Sequence, residues 1–466
     1  MLNGEPHDGS FDPGSFRDPA SRVMIKGDRV ERVLTETGLG DWEALAATKF
    51  FAREVAAGRI IATEVAPDSE LPAGARGLLS HARVPFWSYP YEWSFSMLRA
   101  AALLQLELLG AALAEGLTMK DATPYNFTFR GASPVFVDIG SFRRYDPGEP
   151  WLGYGQFCRT FLYPLMMRAH GDIAFQPLLR GSIDGIPPDH IRSVIRGARV
   201  LKPGGMLDVV MQARAERSLA ASKRDLRGEL TSAGFSIDMI KSNVKRLTGV
   251  IEKTVWRPRA SAWSEYNTCA HVSTQRGPKE DFVRGVLDSA HRRLVWDLGA
   301  NDGHFSRLAA GNADLVVAAD ADELVVDRLY QSLAEADPGN VLPLVFDLAD
   351  PSPGLGWRGQ ERKRLEDRGR PDLVIFLAVI HHLVISANLP LGEVIEWLAS
   401  LGAEVVFEWV PAEDPMARQI AVNKRKNEIH ADYSEESLRA LLRHRFEIRA
   451  ESPLEQRTLF HLSPRS

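Results

Sequence analysis

The stretch from Val295 to Gly303, VWDLGANDG, decides the fold of the C-terminal half. Its apolar start is typical of a buried β-strand, and its end carries an acid, Asp297, and the glycines Gly299 and Gly303. A helix is predicted to begin near His304. A glycine-bearing loop between the first strand and the first helix of an open α/β sheet is where ligands bind, beyond the carboxyl ends of the strands. The stretch therefore predicts a ligand site at this strand–helix junction.

The apolar runs around this stretch predict a seven-stranded sheet. Five runs of strand length alternate with helical stretches, at 294–300, 315–320, 341–348, 373–379 and 404–410. Such alternation is typical of a parallel sheet that is buried on both faces. Two last runs, 446–451 and 458–463, have little between them and predict an antiparallel hairpin at the end of the sheet. The charged segment 359–370 is predicted to be a solvated insertion between two strands.

The first loop lacks the residues of two common phosphate sites. A dinucleotide-binding loop has the pattern G-x-G-x-x-G, whereas the corresponding positions here are Gly299, Asn301 and His304. A Walker loop needs Gly-Lys-Ser/Thr, which is also missing. Phosphate binding at this loop is therefore disfavoured.

Acids at the ends of the first three strands indicate a different nucleoside ligand. Asp297, with close backbone approach at Gly299 and Gly303, suits a ligand that carries an ammonium group and a positive centre. Asp320 ends the second strand, where a carboxylate can accept both hydroxyls of a ribose. Asp347 ends the third strand and is placed to accept a hydrogen bond from an adenine amino group. A ligand with an amine, a ribose and an adenine is S-adenosylmethionine (SAM).

On these residues, and on FLAVIHHL at 376–383, the region from about 270 to 466 resembles the class I SAM-dependent methyltransferases. The resemblance implies a Rossmann-like α/β fold and an enzyme that transfers a methyl group from SAM. It assigns the methionine part to the first loop, the ribose to the second acid and the adenine to the third. The implied cofactor-binding residues are Asp297, Gly299, Asn301, Gly303, Asp320 and Asp347.

Three residues are candidates for a catalytic or pocket-lining role. His381 and His382 follow the fourth strand, where one of them can remove a proton from an acceptor. Glu408, at the end of the fifth strand, can line the substrate pocket. Methyl transfer depends mainly on in-line placement of the nucleophile. A purely structural role for all three residues therefore stays open.

Several short elements are predicted in the N-terminal half. Residues 22–34 predict a β-hairpin around a glycine turn at 26–28, and the apolar positions of 41–57 have helical spacing. Short strands are predicted at 59–65 and 84–89, and the strands 127–129 and 135–139 flank a turn at 130–133.

A second motif follows a helix predicted from about Ser94 to Glu115. Asp121 and Asn126 have the spacing of the protein-kinase catalytic loop H-R-D-x-x-x-x-N, and the Asp138-Ile139-Gly140 triplet stands where kinases have D-F-G. Residues of about 22–200 therefore resemble the protein-kinase-like fold, an α+β domain. The resemblance implies Mg-ATP, with magnesium at Asn126 and Asp138. Because the catalytic-loop histidine and a glycine-rich loop are missing, a degenerate module that binds substrate or regulates is the alternative.

The whole chain is thereby divided into four parts. We predict a disordered lead-in at 1–20, a kinase-like domain at 21–211, a helical linker at 212–264 and a methyltransferase domain at 265–466. The 466 residues are 45% hydrophobic and 25% charged, which excludes a mainly disordered or fibrous protein. A net charge of −5 disfavours broad capture of nucleic acid or of an anionic membrane.

Cysteine content and hydropathy predict a cytoplasmic protein. Cys158 and Cys269 are the two cysteines, which favours neither a disulfide framework nor a cysteine-based zinc site. The N-terminus does not have the pattern of a signal peptide, and no run of about 18 uninterrupted apolar residues is present.

The leading interpretation is a bacterial two-domain methyltransferase that uses SAM, with the kinase-like half binding substrate or regulating. The acceptor is a small molecule, a glycan or a peptide. One alternative is a bifunctional kinase–methyltransferase that acts on one acceptor, and another is a non-catalytic protein in which both pockets are scaffolds. The acceptor atom and the oligomeric state stay open.

Overall fold

The computed structural model describes residues 11–27, 29–67, 71–195, 204, 208–210, 236–258, 270–336, 339–423 and 432–465, with residues 270–276 and 423 described for their backbone alone. Within these ranges the N-terminal half contains strands and helices in alternation, and the C-terminal half is built on a single sheet.

The chain begins with a four-stranded antiparallel sheet. Its strands are β1 (Ser21–Lys26), β2 (Arg29–Leu34), β3 (Thr63–Val65) and β4 (Gly77–His81), in the order β1-β2-β4-β3. The β1–β2 hairpin confirms the predicted glycine turn, because Gly27 has a left-handed φ of 59°. Two helices, α1 (Glu36–Ala46) and α2 (Lys49–Ala56), replace the single helix predicted near residues 41–57. The break lies at Thr48, whose hydroxyl accepts the Phe51 N–H and begins a new helix.

A long helix and two small antiparallel pairs form the centre of the N-terminal half. Helix α3 (Phe95–Ala114) ends before Gly116, close to the predicted bounds. Strand β5 (Leu117–Met119) pairs with β8 (Phe142–Arg144), and between them β6 (Phe127–Arg130) and β7 (Ser133–Phe136) form the predicted hairpin. The described helices that follow are α4 (Tyr154–Phe157), α5 (Tyr163–Gly171), α6 (Gln176–Gly181), α7 (Pro188–Val194) and α8 (Ile237–Lys253).

Helix α3 is the core of this half. By length and composition it is apolar enough to cross a membrane, but 61% of that apolar window is buried inside the protein, and core helices pass the same test. Helix α8, which falls within the predicted linker, packs along α3, and the Arg99 side chain donates to the carbonyls of Ile251 and Glu252. The described part of the linker therefore belongs to the N-terminal core.

The C-terminal half contains the predicted seven-stranded sheet. Its strands are β9 (Arg292–Leu298), β10 (Ala313–Asp320), β11 (Val341–Val345), β12 (Leu373–Phe376), β13 (Glu404–Trp409), β14 (Phe446–Pro453) and β15 (Thr458–Pro464). The spatial order is β11-β10-β9-β12-β13-β15-β14. The first five strands are parallel, and β15 is antiparallel to both β13 and β14, as the sequence predicts. The helices are α9 (Ala270–Leu287), α10 (His304–Ala310), α11 (Glu323–Ala336), α12 (Leu391–Ser400), α13 (Pro415–Asn423) and α14 (Glu435–Arg445).

The order of the strands marks the place where a ligand crevice is expected. From β9 the chain moves outward to β10 and β11, and it then crosses back to β12 on the other side of β9. The order therefore reverses between β9 and β12. In open α/β sheets the ligand crevice lies at such a switch point, outside the carboxyl ends of the strands.

The charged segment 359–370 lies between β11 and β12 as predicted, but it is only partly solvated, because it also joins the two halves. Arg368 is 6% exposed, and its guanidinium donates to both carboxylate oxygens of Glu92 at 2.6 and 2.7 Å. Glu92 also accepts the Ser352 hydroxyl at 2.7 Å. Lys363 and Arg368 of this segment are thus paired with acids of the N-terminal half, Asp12 and Glu92, which the composition of the segment alone does not reveal.

Two further predictions in the N-terminal half differ from the structure. Residues 11–20, part of the predicted disordered lead-in, lie against β1: Asp12 donates its N–H to Val23 and pairs with Lys363 at 2.6 Å. Residues 1–10 lie outside the described ranges. The predicted strand at 84–89 is irregular chain that packs through side chains, such as Phe86 against Trp296 of the C-terminal sheet.

Candidate active site

The first loop of the C-terminal sheet, residues 299–303, is held at the switch point by its neighbours. The N–H groups of Gly299 and Ala300 both donate to the Ala319 carbonyl, at 2.8 and 3.0 Å. Gly299 has a φ of 83°, and a Cβ there would lie 2.5 Å from Val379 Cγ2. Glycine is therefore required at this position both for the turn and for contact with the segment after β12.

Asp320 at the end of β10 braces the same loop. Its Oδ2 accepts the Asn301 N–H at 3.0 Å, and its Oδ1 accepts the Asp322 N–H at 2.9 Å. Asn301 has a left-handed φ of 49°, which asparagine tolerates better than most residues. Each carboxylate oxygen has a second lone pair. Asp320 can therefore hold the loop and still accept ligand hydroxyls, and the bracing role is one that sequence reasoning missed.

Asp297 lies beneath the loop as a buried acid. It is 3% exposed, and its Oδ2 accepts the Ser306 hydroxyl at 2.6 Å. Burial raises the pKa of Asp297 to about 7, against the Ser306 hydrogen bond, with a smaller contribution from the charge of Asp320. Ser306 is a partner that the sequence analysis missed, although its place in the first turn after the loop was a usable signal. A carboxyl in this state ionises readily when a cation is placed beside it.

Gly303 and Asp347 complete the predicted cofactor residues. Gly303 precedes α10 with a φ of 75°, and a Cβ there would lie 2.5 Å from Leu329 Cδ1. The Asp347 side chain is exposed, and its Oδ1 accepts the Ala349 N–H at 2.9 Å. Because Phe346 donates its N–H to the Asp320 carbonyl at 2.8 Å, Asp347 lies at the same edge of the sheet. All six predicted cofactor residues thus fall at one edge, around the crevice.

The two histidines follow β12 directly beside the first loop. Val379, which contacts Gly299, is two residues before His381, and a single π-helical turn spans His382–Ser386. Such turns are frequent at functional sites. His381 is 1% exposed, and none of the described residues pairs with its Nδ1. Burial lowers the pKa of both rings, to about 4 for His382, where Arg457 adds to the effect.

Glu408 is held by two cations at the end of β13. Its fully buried carboxylate accepts Lys279 Nζ at 2.6 Å and Arg457 Nη1 at 3.1 Å. Arg457 also donates to Asp414 at 2.8 Å. After burial and the charge of His382, the charges of Arg457 and Lys279 also help to lower the pKa of His381. Sequence reasoning missed Lys279, Arg457 and Asp414, because nothing in their local sequence marks them.

In the N-terminal half, the loop 121–126 and the segment after the β6–β7 hairpin bring the predicted kinase-like residues together. Burial and the nearby charge of Asp138 raise the pKa of Asp121. The Asn126 carbonyl accepts the Val137 N–H at 2.9 Å, and no described residue accepts from its buried Nδ2.

A cation that the sequence analysis missed occupies this N-terminal cleft. Arg32 of β2 is 8% exposed, and its Nη1 lies 3.0 Å from Asp138 Oδ1 and 3.0 Å from the Ser21 hydroxyl. The carboxylate that the kinase pattern assigns to magnesium is therefore already paired with a guanidinium.

Comparison with known proteins identifies one relative over nearly the whole chain. Over 437 residues the sequence is 31% identical to the nodulation protein NoeA from Rhizobium meliloti (strain 1021), covering 92% of this chain and 90% of that protein. The sequence matches no family model.

Solved structures have lower, partial similarity. The N-methyltransferase NodS from Bradyrhizobium japonicum WM9 is 12% identical, with a TM-score of 0.30, over 42% of this chain and 98% of that chain. The magnesium protoporphyrin IX methyltransferase ChlM from Synechocystis PCC 6803 with bound SAM is 21% identical, with a TM-score of 0.30, over 45% of this chain and 86% of that chain.

Proposed function

The chain belongs to the family of the nodulation protein NoeA, and we propose that it transfers a methyl group from SAM to an acceptor. The observation that carries this proposal is the switch point of the sheet at the carboxyl ends of β9, β10 and β12. The strand order reverses there. The first loop and the acids Asp297 and Asp320 converge on the same point.

The residues at the crevice fit the chemistry of SAM. The free lone pairs of Asp320 suit the two ribose hydroxyls, and the buried acid Asp297 suits a cationic ligand whose charge favours its ionised form. Asp347, exposed at the same edge, suits the adenine amino group. When bound, SAM supplies an electrophilic methyl group on a sulfonium sulfur. The first loop would hold the methionine part, as the family resemblance implies.

We assign His381, His382 and Glu408 to the acceptor side of the proposed site, because Val379, two residues before His381, contacts the first loop. With its pKa lowered to about 4, His382 is neutral at neutral pH and can accept a hydrogen bond from a hydroxyl or an amine, although so low a pKa makes it a weak base. Glu408 is held by two cations and therefore acts in positioning rather than as the base. The acceptor is a small molecule, a glycan or a peptide, and neither a nucleic acid nor a membrane is proposed as a partner.

For the N-terminal half we favour substrate binding or regulation over phosphoryl transfer. Magnesium at Asp138 would have to displace the Arg32 guanidinium, which already lies 3.0 Å from the half-buried Asp138 carboxylate. The alternative, a bifunctional kinase–methyltransferase, predicts magnesium-dependent ATP turnover that Asp138→Ala abolishes.

Incubation of a cell extract with purified protein and methyl-labelled SAM tests the proposed function. We expect label to enter an acceptor, identified by mass spectrometry, with wild-type protein and with the control Asp314→Ala, which alters an exposed residue at the opposite end of β10. Asp320→Ala should abolish labelling. Labelling that persists in Asp320→Ala, or an absence of labelling in every extract of the source organism, would contradict the proposal.

A further inference from the structure

Two buried arginines lie between β11 and β12, and they differ in their partners. Arg368 has the bidentate pair with Glu92 and also donates to the Trp87 carbonyl at 2.9 Å. Arg362 is 7% exposed, and its Nε and Nη1 are buried without any hydrogen-bond partner among the described residues. No ion pair in the described part of the chain includes Arg362, whereas its neighbour Glu361 pairs with Arg17 at 2.6 Å.

The position of Arg362 is held by its backbone and by an aromatic ring. Arg362 donates its N–H to the Leu355 carbonyl at 3.1 Å and accepts the Leu355 N–H at 2.9 Å. Its guanidinium lies 5.6 Å from the centre of the Tyr125 ring. Tyr125 belongs to the loop 121–126 of the N-terminal half and is itself held, because its hydroxyl donates to the Leu179 carbonyl at 2.8 Å.

The ring contact does not account for the burial of this charge. A cation–π contact returns only part of the free energy lost when a guanidinium leaves water. Buried charges in proteins are normally paired or hydrogen-bonded. The cations nearest in sequence each have a carboxylate: Lys363 pairs with Asp12, and Arg364 pairs with Asp367. Of the two buried arginines of this segment, Arg368 has a carboxylate partner and Arg362 has none among the described residues.

We propose that Arg362 anchors a binding site for a small oxyanion, namely a phosphate, sulfate or carboxylate group of a ligand. The site lies between the loop 121–126 of the N-terminal half and the segment 355–368 of the C-terminal half. A guanidinium presents its N–H groups in a planar fork that matches such an anion with two parallel hydrogen bonds. Tyr125 closes one face of this fork. The site does not rest on the proposed methyl transfer, because none of its residues belongs to the SAM crevice.

Melting temperatures of the full chain test this site. Sodium phosphate, sulfate and acetate are each titrated against sodium chloride at matched ionic strength, and the three arms distinguish the chemical source of the anion. A ligand that binds only the folded state raises the melting temperature saturably. We expect at least one of the three anions to do so for the wild type and for the control Arg364→Gln. Arg362→Gln should abolish the rise.

Calorimetry with the anion that responds provides the second measurement. Arg362→Lys keeps the charge and removes the fork, so we expect its dissociation constant to be at least threefold weaker than that of the wild type. Arg362→Gln should weaken it more than tenfold. Because Arg362→Gln removes an unpaired buried charge, it should melt no lower than the wild type in chloride. A lower melting temperature in chloride, equal anion responses in wild type and Arg362→Gln, or no response to any anion would overturn the proposal.

Discussion

The substitution Asp297→Asn tests how burial changes the protonation of Asp297. The amide has nearly the same shape as the carboxyl, and its oxygen can still accept the Ser306 hydroxyl. The substitution removes a proton that the folded protein keeps up to about pH 7, since burial raises the pKa of Asp297 to about 7. The unfolded chain releases that proton near the ordinary value of 3.8. Unfolding therefore releases a proton between these values, and rising pH favours the unfolded state.

The size of the effect follows from the two pKa values. Between pH 6 and pH 8 the folded wild type goes from about nine-tenths protonated to about one-tenth, whereas the unfolded chain is ionised throughout. Integrating this difference gives a loss of about 1.4 kcal/mol in the unfolding free energy of the wild type relative to Asp297→Asn. The other titrating groups are common to both proteins, so their contributions cancel in the difference.

Urea unfolding of both proteins at pH 6, 7 and 8, without SAM, measures this difference. Asp372→Asn is the control. Burial acts to raise the pKa of Asp372, but hydrogen bonds from Arg293 and Leu294 outweigh it and lower this pKa. The difference in unfolding free energy between Asp372→Asn and wild type should therefore be constant over this pH range. If the difference in unfolding free energy between Asp297→Asn and wild type is also constant over this range, Asp297 is ionised throughout. That result would refute the reasoning about its burial.

Three further outcomes are expected. Glu92→Gln leaves the buried Arg368 without its counter-charge and should lower the unfolding free energy by about 3–5 kcal/mol in urea titrations. A loss below about 1 kcal/mol would contradict the pairing of the two halves. Gly303→Ala should destabilise the protein by about 1–3 kcal/mol more than Gly402→Ala, since both have positive φ but only Gly303 abuts Leu329, and equal losses would argue against that contact. Mg-ATP should not raise the melting temperature of the wild type, because Arg32 already holds Asp138, and a magnesium-dependent rise would favour the bifunctional alternative.

The C-terminal sheet was predictable because its strands are buried. Parallel strands covered on both faces are continuous apolar runs in sequence, and the strand β12 (Leu373–Phe376) is buried at every position. Asp297 and Asp320 were found because they end such runs. The pairing of Lys279, Arg457 and Asp414 around Glu408 was not predictable, because it joins residues far apart in the chain.

The segment 359–370 illustrates the same limit for charged sequence. A run of lysines, arginines and acids has the same composition whether it faces water or a second domain. Arg368 is buried because Glu92, 276 positions earlier, lies opposite it. Arg32 likewise meets Asp138 only through the fold. Local patterns identified the strands and the loop acids, and long-range charge pairing had to come from the structure.

Calorimetric titration with SAM tests the central claim most directly. The wild type and Asp314→Ala should bind one SAM per chain with the same affinity. Asp320→Ala should bind at least tenfold more weakly, because it removes the acceptors for the Asn301 and Asp322 N–H groups and for the ribose hydroxyls. An absence of SAM binding by the wild type, or equal affinity in Asp320→Ala, would contradict the assignment of the crevice at β9 and β10 as a SAM site.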